Sequence, residues 1–476
     1  MTQRKRYEEK AQNLFGEVCV NKALVQEAGF GTRSIPAFVS EWIVTRHTPD
    51  GVLDDAARQR IRTFLNRHLP TRDQKEQLKA QLLQGQPLTI LDQFNVTVDL
   101  QRNELRLTIP CLDERKAGIE RQITDQYPLL LGGGVWGVGK LEYNQPDHVR
   151  KEGQIQMVDF RPMQNAALDM DLYCEQRAAF DLDEWRELLI CSMGYNPDAY
   201  SIEQQMLLLT RLLPLVQERV NMIELAPKGT GKSFVYLNLS RYARLVSGGK
   251  VTAAALFYNN QNRQPGLLTH YDLVVFDEAQ SLSFSNPGEI IGVLKDYLES
   301  GSFARGGVQK VEASAGLMLL ANIPLDDQKR PRYENLFREL PEFLSETAFI
   351  DRIHGILPGW KLPRIEQSFI ASGVGFKADF FGDVLHNLRT RSGFEQIVQQ
   401  RSALTGTSDR RDVIAISRLA AGYCKLLFPH GEMSDDDFTE YCLRPAIGLR
   451  QRVRDQLAIL DPEYAPVQIG VAGTAL

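Results

Sequence analysis

Apolar residues recur at helical spacing through the first part of the chain, as in residues 38–44 (Phe-Val-Ser-Glu-Trp-Ile-Val) and along 57–65. A break at 29–36 separates these helices. Near Leu88 the period shortens. Residues 95–110 alternate apolar and polar about 101–103, the pattern of a β-hairpin. Residues 129–139 (Leu-Leu-Leu-Gly-Gly-Gly-Val-Trp-Gly-Val-Gly) are apolar and unusually Gly-rich, but no helical pattern follows them. They predict a packed β-segment rather than a nucleotide site. These patterns divide the first third into a helical domain over 1–84, a small β-rich domain over 85–160 and a linker over 161–180.

From Asp181 the pattern is helical again, with that Asp as cap, and a second helix is expected over 202–220. Strands are then predicted at 222–226, 250–257, 273–276 and 316–322. Helices are expected over 234–239 and 289–299. Strands alternating with helices imply a mostly parallel sheet covered on both faces, an α/β core over 181–360. Residues 361–460 read as helical, a lid, and 461–476 as a short tail.

Composition narrows the class. The chain has 476 residues, 43% hydrophobic and 24% charged, with net charge −5, so any nucleic-acid contact must use local basic patches. In the first 80 residues Arg and Lys are mixed with acids, and a DNA-facing patch is one reading of them. The six cysteines form no Cys-x-x-Cys pair, which fits neither a zinc site nor a disulfide framework but fits a reducing cytoplasm. No signal peptide and no membrane-spanning run is expected.

Residues 226–233, Ala-Pro-Lys-Gly-Thr-Gly-Lys-Ser, follow a strand and open a helix. That is the order of a phosphate-binding loop. Gly229 and Gly231 permit the tight turn, and the backbone of Lys228, Gly229, Thr230 and Gly231 can point N–H groups at phosphate oxygens. Lys232 reaches the β- and γ-phosphates of ATP, and Ser233 ligates Mg²⁺. The usual pattern has Gly at position 226, and Ala226 would be strained if the loop needs a Gly-specific backbone angle there.

Four apolar residues end at Asp277-Glu278. Asp277 is expected to hold Mg²⁺ and Glu278 to act as general base toward the attacking water. Asn322 ends the next apolar strand and is placed to orient that water. Arg352, flanked by apolar residues after a loop, is a candidate arginine finger offered to a neighbouring subunit. Arg450, with Arg452 and Arg454 on a late helix, is a candidate nucleotide sensor.

These parts in this order resemble the AAA+ ATPases. More specifically, residues 224–233, 247–252 (Ser-Gly-Gly-Lys-Val-Thr), 272–278, 294–305, Asp351-Arg-Ile-His354 with Pro358-Gly-Trp360, and 411–415 are similar to the BrxL family, the Lon-like ATPases of BREX bacteriophage-defence systems. The resemblance implies an MCM-like, ring-forming ATPase, hexameric, that encircles double-stranded DNA and works beside other defence proteins. Such rings carry a pore hairpin, here 302–310, in which Arg305 and Lys310 would touch DNA phosphates. The family's C-terminal Lon-protease-like domain has no counterpart before Leu476, so proteolysis is not expected of this chain. Protein remodelling for a separate protease, or a nucleotide-gated scaffold, are the competing readings. The aromatic Phe303 leaves the first of these open.

Overall fold

A computed structural model describes residues 6–30, 35–100, 103–131, 134–146, 152–163, 168–239, 241–260, 264–304 and 310–472. The chain forms two units, 23–167 and a second built from 1–22 with 168–476. This corrects the division expected from the sequence. The helical and β-rich parts make one unit, and the first 22 residues leave it for the ATPase core.

In the 23–167 unit, strands β1 (Leu88–Asp99), β2 (Glu104–Ile109), β3 (Glu114–Ile119), β4 (Val135–Asn144) and β5 (Gln154–Pro162) close into a barrel in the order β1-β2-β3-β5-β4. The expected hairpin is β1–β2, with Asn95 opposite Thr108 and Asp99 opposite Glu104. The Gly-rich run becomes β4. Gly137 and Gly139 face Phe160, Met157 and Phe94; a Cβ on Gly139 would lie 2.7 Å from Met157 Cε. Glycine there lets large side chains fill a narrow barrel. Helices Ala37–His47 and Asp55–His68 pack through Val39, Ile43, Val44, Ile61 and Leu65. Asp54 caps the second, accepting from Ala57 N.

The other unit is built on five parallel strands: β6 (Asn221–Ala226), β7 (Ala243–Val251), β8 (Leu273–Phe284), β9 (Gly316–Asn322) and β10 (Gly355–Pro358), in the order β10-β6-β9-β8-β7. β6 and β9 are buried along nearly their whole length, as interior strands of a two-sided parallel sheet should be. The strand expected at 250–257 lies instead at Ala243–Val251. It is an edge strand, so its half-exposed sequence carries no apolar run, and Thr252 caps a short helix, Ala253–Leu256, where the strand was expected.

The linker expected over 161–180 contains the helix Met170–Arg177, whose Arg177 donates to the Leu427 and Phe180 carbonyls. Residues 6–22 join this unit through Phe15, packed on Tyr173, Phe180, Trp185 and Phe376, and through Cys19–Asn21 paired antiparallel with Val374–Phe376. The stretch after 360 is thus not wholly helical. Helices Ala378–Thr390, Phe394–Arg401, Arg410–Leu427 and Arg444–Leu460 supply most of it. No helix among the described residues is long and apolar enough to cross a membrane.

Candidate functional site

The phosphate loop leaves the C-terminal end of β6, an interior strand of the sheet, and ligands bind at the carboxyl ends of the strands in open α/β folds. Gly229 and Gly231 both have positive φ, +87° and +73°. Gly231 caps the helix Lys232–Asn238, and Ile365 N donates to Gly229 O at 2.8 Å, so the 364–365 segment clasps the turn. Ala226 sits within β6, opposite Asn322, and is absent from the positive-φ residues. The strain foreseen at that position does not arise. Room for its methyl comes from Gly359, where a Cβ would lie 2.6 Å from the Ala226 Cβ.

Three strand ends bring the other predicted residues together. Lys232, 7% exposed, donates from Nζ to Asn322 Oδ1 at 2.9 Å and to Pro227 O at 3.0 Å. Burial pushes its pKa down, and both partners are neutral oxygens. Ser233 Oγ donates to Asp277 Oδ2 at 2.6 Å. Asn322 is itself steadied by its N–H on Gln280 Oε1, 3.1 Å away.

Glu278 is exposed and has φ +51°, an uncommon backbone for a side-chain-bearing residue. The pairing of β8 with β7 slips between Asp277 and Leu282, and this irregularity turns Glu278 out of the sheet. It lies beside Gly248, where a Cβ would approach Glu278 Oε2 at 3.4 Å and crowd Ser281.

This geometry fits a magnesium nucleotide. A buried ammonium without a carboxylate partner calls for an anion, and the loop's N–H groups at a helix start provide the rest of a phosphate cradle. Thr230 Oγ1 is buried and without a partner. The Ser233 and Asp277 oxygens are hard donors suited to Mg²⁺. Bound there, MgATP would supply a phosphoryl group flanked by Lys232, Asn322 and Glu278.

The arginines divide differently. Arg352 Nε lies 3.1 Å from Glu299 Oε2, and its Nη1 donates to Ala348 O. Arg450, expected to sense nucleotide, is fully buried. Its Nε donates to Asp412 Oδ1 (2.7 Å), Nη2 to Asp351 Oδ1 (2.9 Å), and Nη1 to the Asp351 and Ile353 carbonyls. Its donors are committed inside the fold, which corrects the sensing role: the residue ties the helix Arg444–Leu460 to β10's approach. Arg454 lies 3.7 Å from Asp409 and Asp412, and Arg452 donates to the Gly448 carbonyl. Arg305 falls outside the described residues. Lys310 is exposed beside the antiparallel pair Ser302–Phe303 and Val311–Glu312.

The sequence reading missed Arg211 and Glu224. Both are fully buried and joined twice, Nη2–Oε1 at 2.7 Å and Nε–Oε2 at 3.1 Å. Arg211 also donates to Thr230 O in the loop (3.1 Å) and to Tyr195 Oη (3.0 Å), which donates to Gly231 O (3.2 Å). Burial disfavours the guanidinium charge, but Glu224 more than offsets this and its pKa is raised. The signal was present: one acid inside Met-Ile-Glu-Leu-Ala and one Arg inside Leu-Leu-Leu-Thr-Arg-Leu-Leu each demand a buried partner.

A family model described as "Lon-like protease BrxL-like, ATPase domain" matches residues 155–470. Another, "BREX system Lon protease-like protein BrxL N-terminal", matches 13–143. The chain is 32% identical over 446 residues to the Lon-like protease BrxL of Bacillus cereus, covering 93% of this chain and 65% of that protein. It is 30% identical over 448 residues to the Lon-like protease BrxL of Escherichia coli, covering 94% of this chain and 64% of that protein. The chain therefore spans just under two thirds of the length of these relatives. With the loop, its acids and its Asn assembled on a parallel sheet inside the first matched region, the chain belongs to the BrxL family and carries that family's Lon-like ATPase domain.

Proposed function

We propose that this protein is a ring-forming ATPase, a hexamer in an MCM-like arrangement, that hydrolyses MgATP in the cytoplasm and acts on double-stranded DNA in bacteriophage defence. The observation that carries the reading is the meeting of Lys232 with Asn322 and of Ser233 with Asp277, with Glu278 turned out beside them. In this reading Lys232 and the N–H groups of 228–231 bind the phosphates, and Ser233 and Asp277 hold Mg²⁺. Asn322 orients the attacking water and Glu278 takes its proton. Arg352, held by a partly exposed carboxylate and by the carbonyl of Ala348 one turn earlier, is the residue offered to the neighbouring subunit.

DNA rather than protein as the pore substrate is supported by the antiparallel pair Ser302–Phe303 and Val311–Glu312. Phe303, the aromatic residue a protein-gripping loop would expose, is 2% exposed and packs on Phe257 and Tyr297. Lys310 is exposed, as is Glu312 two residues on, and Arg305 is the proposed companion of Lys310 on phosphate.

The test is the ATPase rate with and without double-stranded DNA, on protein sized by light scattering, beside Glu278→Gln. A ring whose turnover rises with DNA and falls with salt is expected, as is a variant that binds ATP without hydrolysing it. Turnover indifferent to DNA would move the assignment to protein remodelling, and full turnover by Glu278→Gln would remove the general base.

A further inference from the structure

Between Asp55 and Asp73 the chain carries Arg58, Arg60, Arg62, Arg67 and Arg72 and no Asp or Glu, in a protein of net charge −5. The helix Asp55–His68 buries Ala57, Ile61 and Leu65 and turns its other side outward. Two of the arginines are spent locally: Arg58 pairs with Glu27, and Arg60 donates to the His47 carbonyl at 3.1 Å. Arg62 and Arg67 are exposed and have no ion pair or hydrogen bond among the described residues. Gln59, Arg62, Thr63 and Asn66 stand at helical spacings of three and four, so they form one polar stripe.

At the end of that stripe a cavity of about 300 Å³ opens, walled by Asn66, Arg67, Gln74, Gln77 and Gln81. Gln74 has its amide oxygen committed to Thr71 N, 2.9 Å away. Gln77 and Gln81 lie four apart on the helix Lys75–Leu83 and are exposed, and no hydrogen bond occupies either side-chain amide among the described residues. Leu78 and Pro70 add an apolar surface to the same wall. The site thus joins two cations to adjacent amides, each carrying a donor and an acceptor. An acidic peptide would meet the arginines with carboxylates and the amides with its main chain, so the choice of a nucleic-acid strand follows the DNA reading above. A nucleic-acid strand uses both, because phosphates take arginine and base edges pair with Gln.

We propose that this surface is a nucleic-acid contact separate from the pore hairpin. Arg62 and Arg67 take successive phosphates of one strand, and an unpaired base enters the cavity, its face on Leu78 and Pro70 and its edge on Gln77 and Gln81. The proposal rests on the DNA reading above for the kind of polymer, and adds where a single strand is held.

The experiment measures binding of labelled single-stranded and duplex oligonucleotides to the full chain by fluorescence anisotropy across a salt series. R62A/R67A is expected to weaken binding by about tenfold or more and to reduce the salt slope by about two. R62K/R67K should recover most of that slope. Q77L/Q81L should weaken single-stranded binding several-fold while leaving the slope and the duplex affinity unchanged. Arg161→Ala, an exposed arginine on the barrel, serves as the charge control.

Wild-type affinity and slope in R62A/R67A would overturn the proposal, as would an equal loss in the control. Polyglutamate that binds as tightly as the oligonucleotide, and loses as much in R62A/R67A, would overturn it in favour of an acidic protein partner. If DNA stimulates the ATPase equally in wild type and R62A/R67A and their binding is equal, only this inference fails. If the wild-type chain binds no DNA at all, the DNA reading fails with it.

Discussion

Two clusters of charge in the ATPase unit look alike in sequence and differ in the structure. At the strand ends Lys232 is buried against neutral oxygens, and Glu278 is held exposed in a left-handed backbone. In the helical layer Arg450 is equally buried, but Asp351, Asp412 and two carbonyls use its donors. The first cluster is electrically incomplete without a ligand; the second is complete. An unneutralised buried cation next to backbone N–H groups marks a binding site, whereas a neutralised one marks a structural tie. Motif position alone did not separate the two.

The largest effect expected from breaking this comparison is at the incomplete site. Glu278→Gln should lower ATP turnover by about a hundred- to ten-thousandfold with little change in melting temperature, read by steady-state kinetics beside calorimetry. Lys232→Ala should lose nucleotide binding in an equilibrium assay.

Next comes the complete site. Arg450→Ala leaves two buried carboxylates uncompensated and should cost about 3–5 kcal/mol of stability in denaturant titration. If that variant instead melts like wild type and loses only ATP affinity, the sensing role returns and the comparison collapses.

A third test uses pH. Burial, with Arg389 nearby, pushes the Lys425 ammonium down to about 8. The unfolded chain therefore binds its proton more readily than the folded one, so stability should rise as pH climbs from about 8 toward 10.5. The gain should be about 3 kcal/mol at most. Lys425→Met should flatten that rise, and an unchanged profile would place the effect elsewhere.

The smallest effect is at Arg352. Its contact with the partly exposed Glu299 should contribute less than about 1 kcal/mol, so Arg352→Ala should melt nearly as wild type. Its turnover should fall and recover in part when it is mixed with Lys232→Ala, since each variant supplies the half-site the other lacks. No recovery on mixing would leave the trans role unsupported.

The sequence by itself determined what is local and periodic. Largely apolar runs marked β6, β9 and the first half of β8 because a strand covered on both faces must be mostly apolar. The spacing of Gly229, Gly231, Lys232 and Ser233 fixed the loop because turn, helix start and cation are contiguous in the chain. Alternation fixed the β1–β2 hairpin. Other features were decided only by tertiary structure, because they join residues far apart in sequence. Residues 6–22 left their neighbours for Val374–Phe376 and the aromatic cluster around Trp185. Strand β7 carried no apolar signal because one of its edges is unpaired. Arg211 reached Glu224 and the loop, and Arg450 reached Asp351. A buried charge announces in sequence that it needs a partner, but which partner it finds is a property of the fold, and that choice separates a site from a strut.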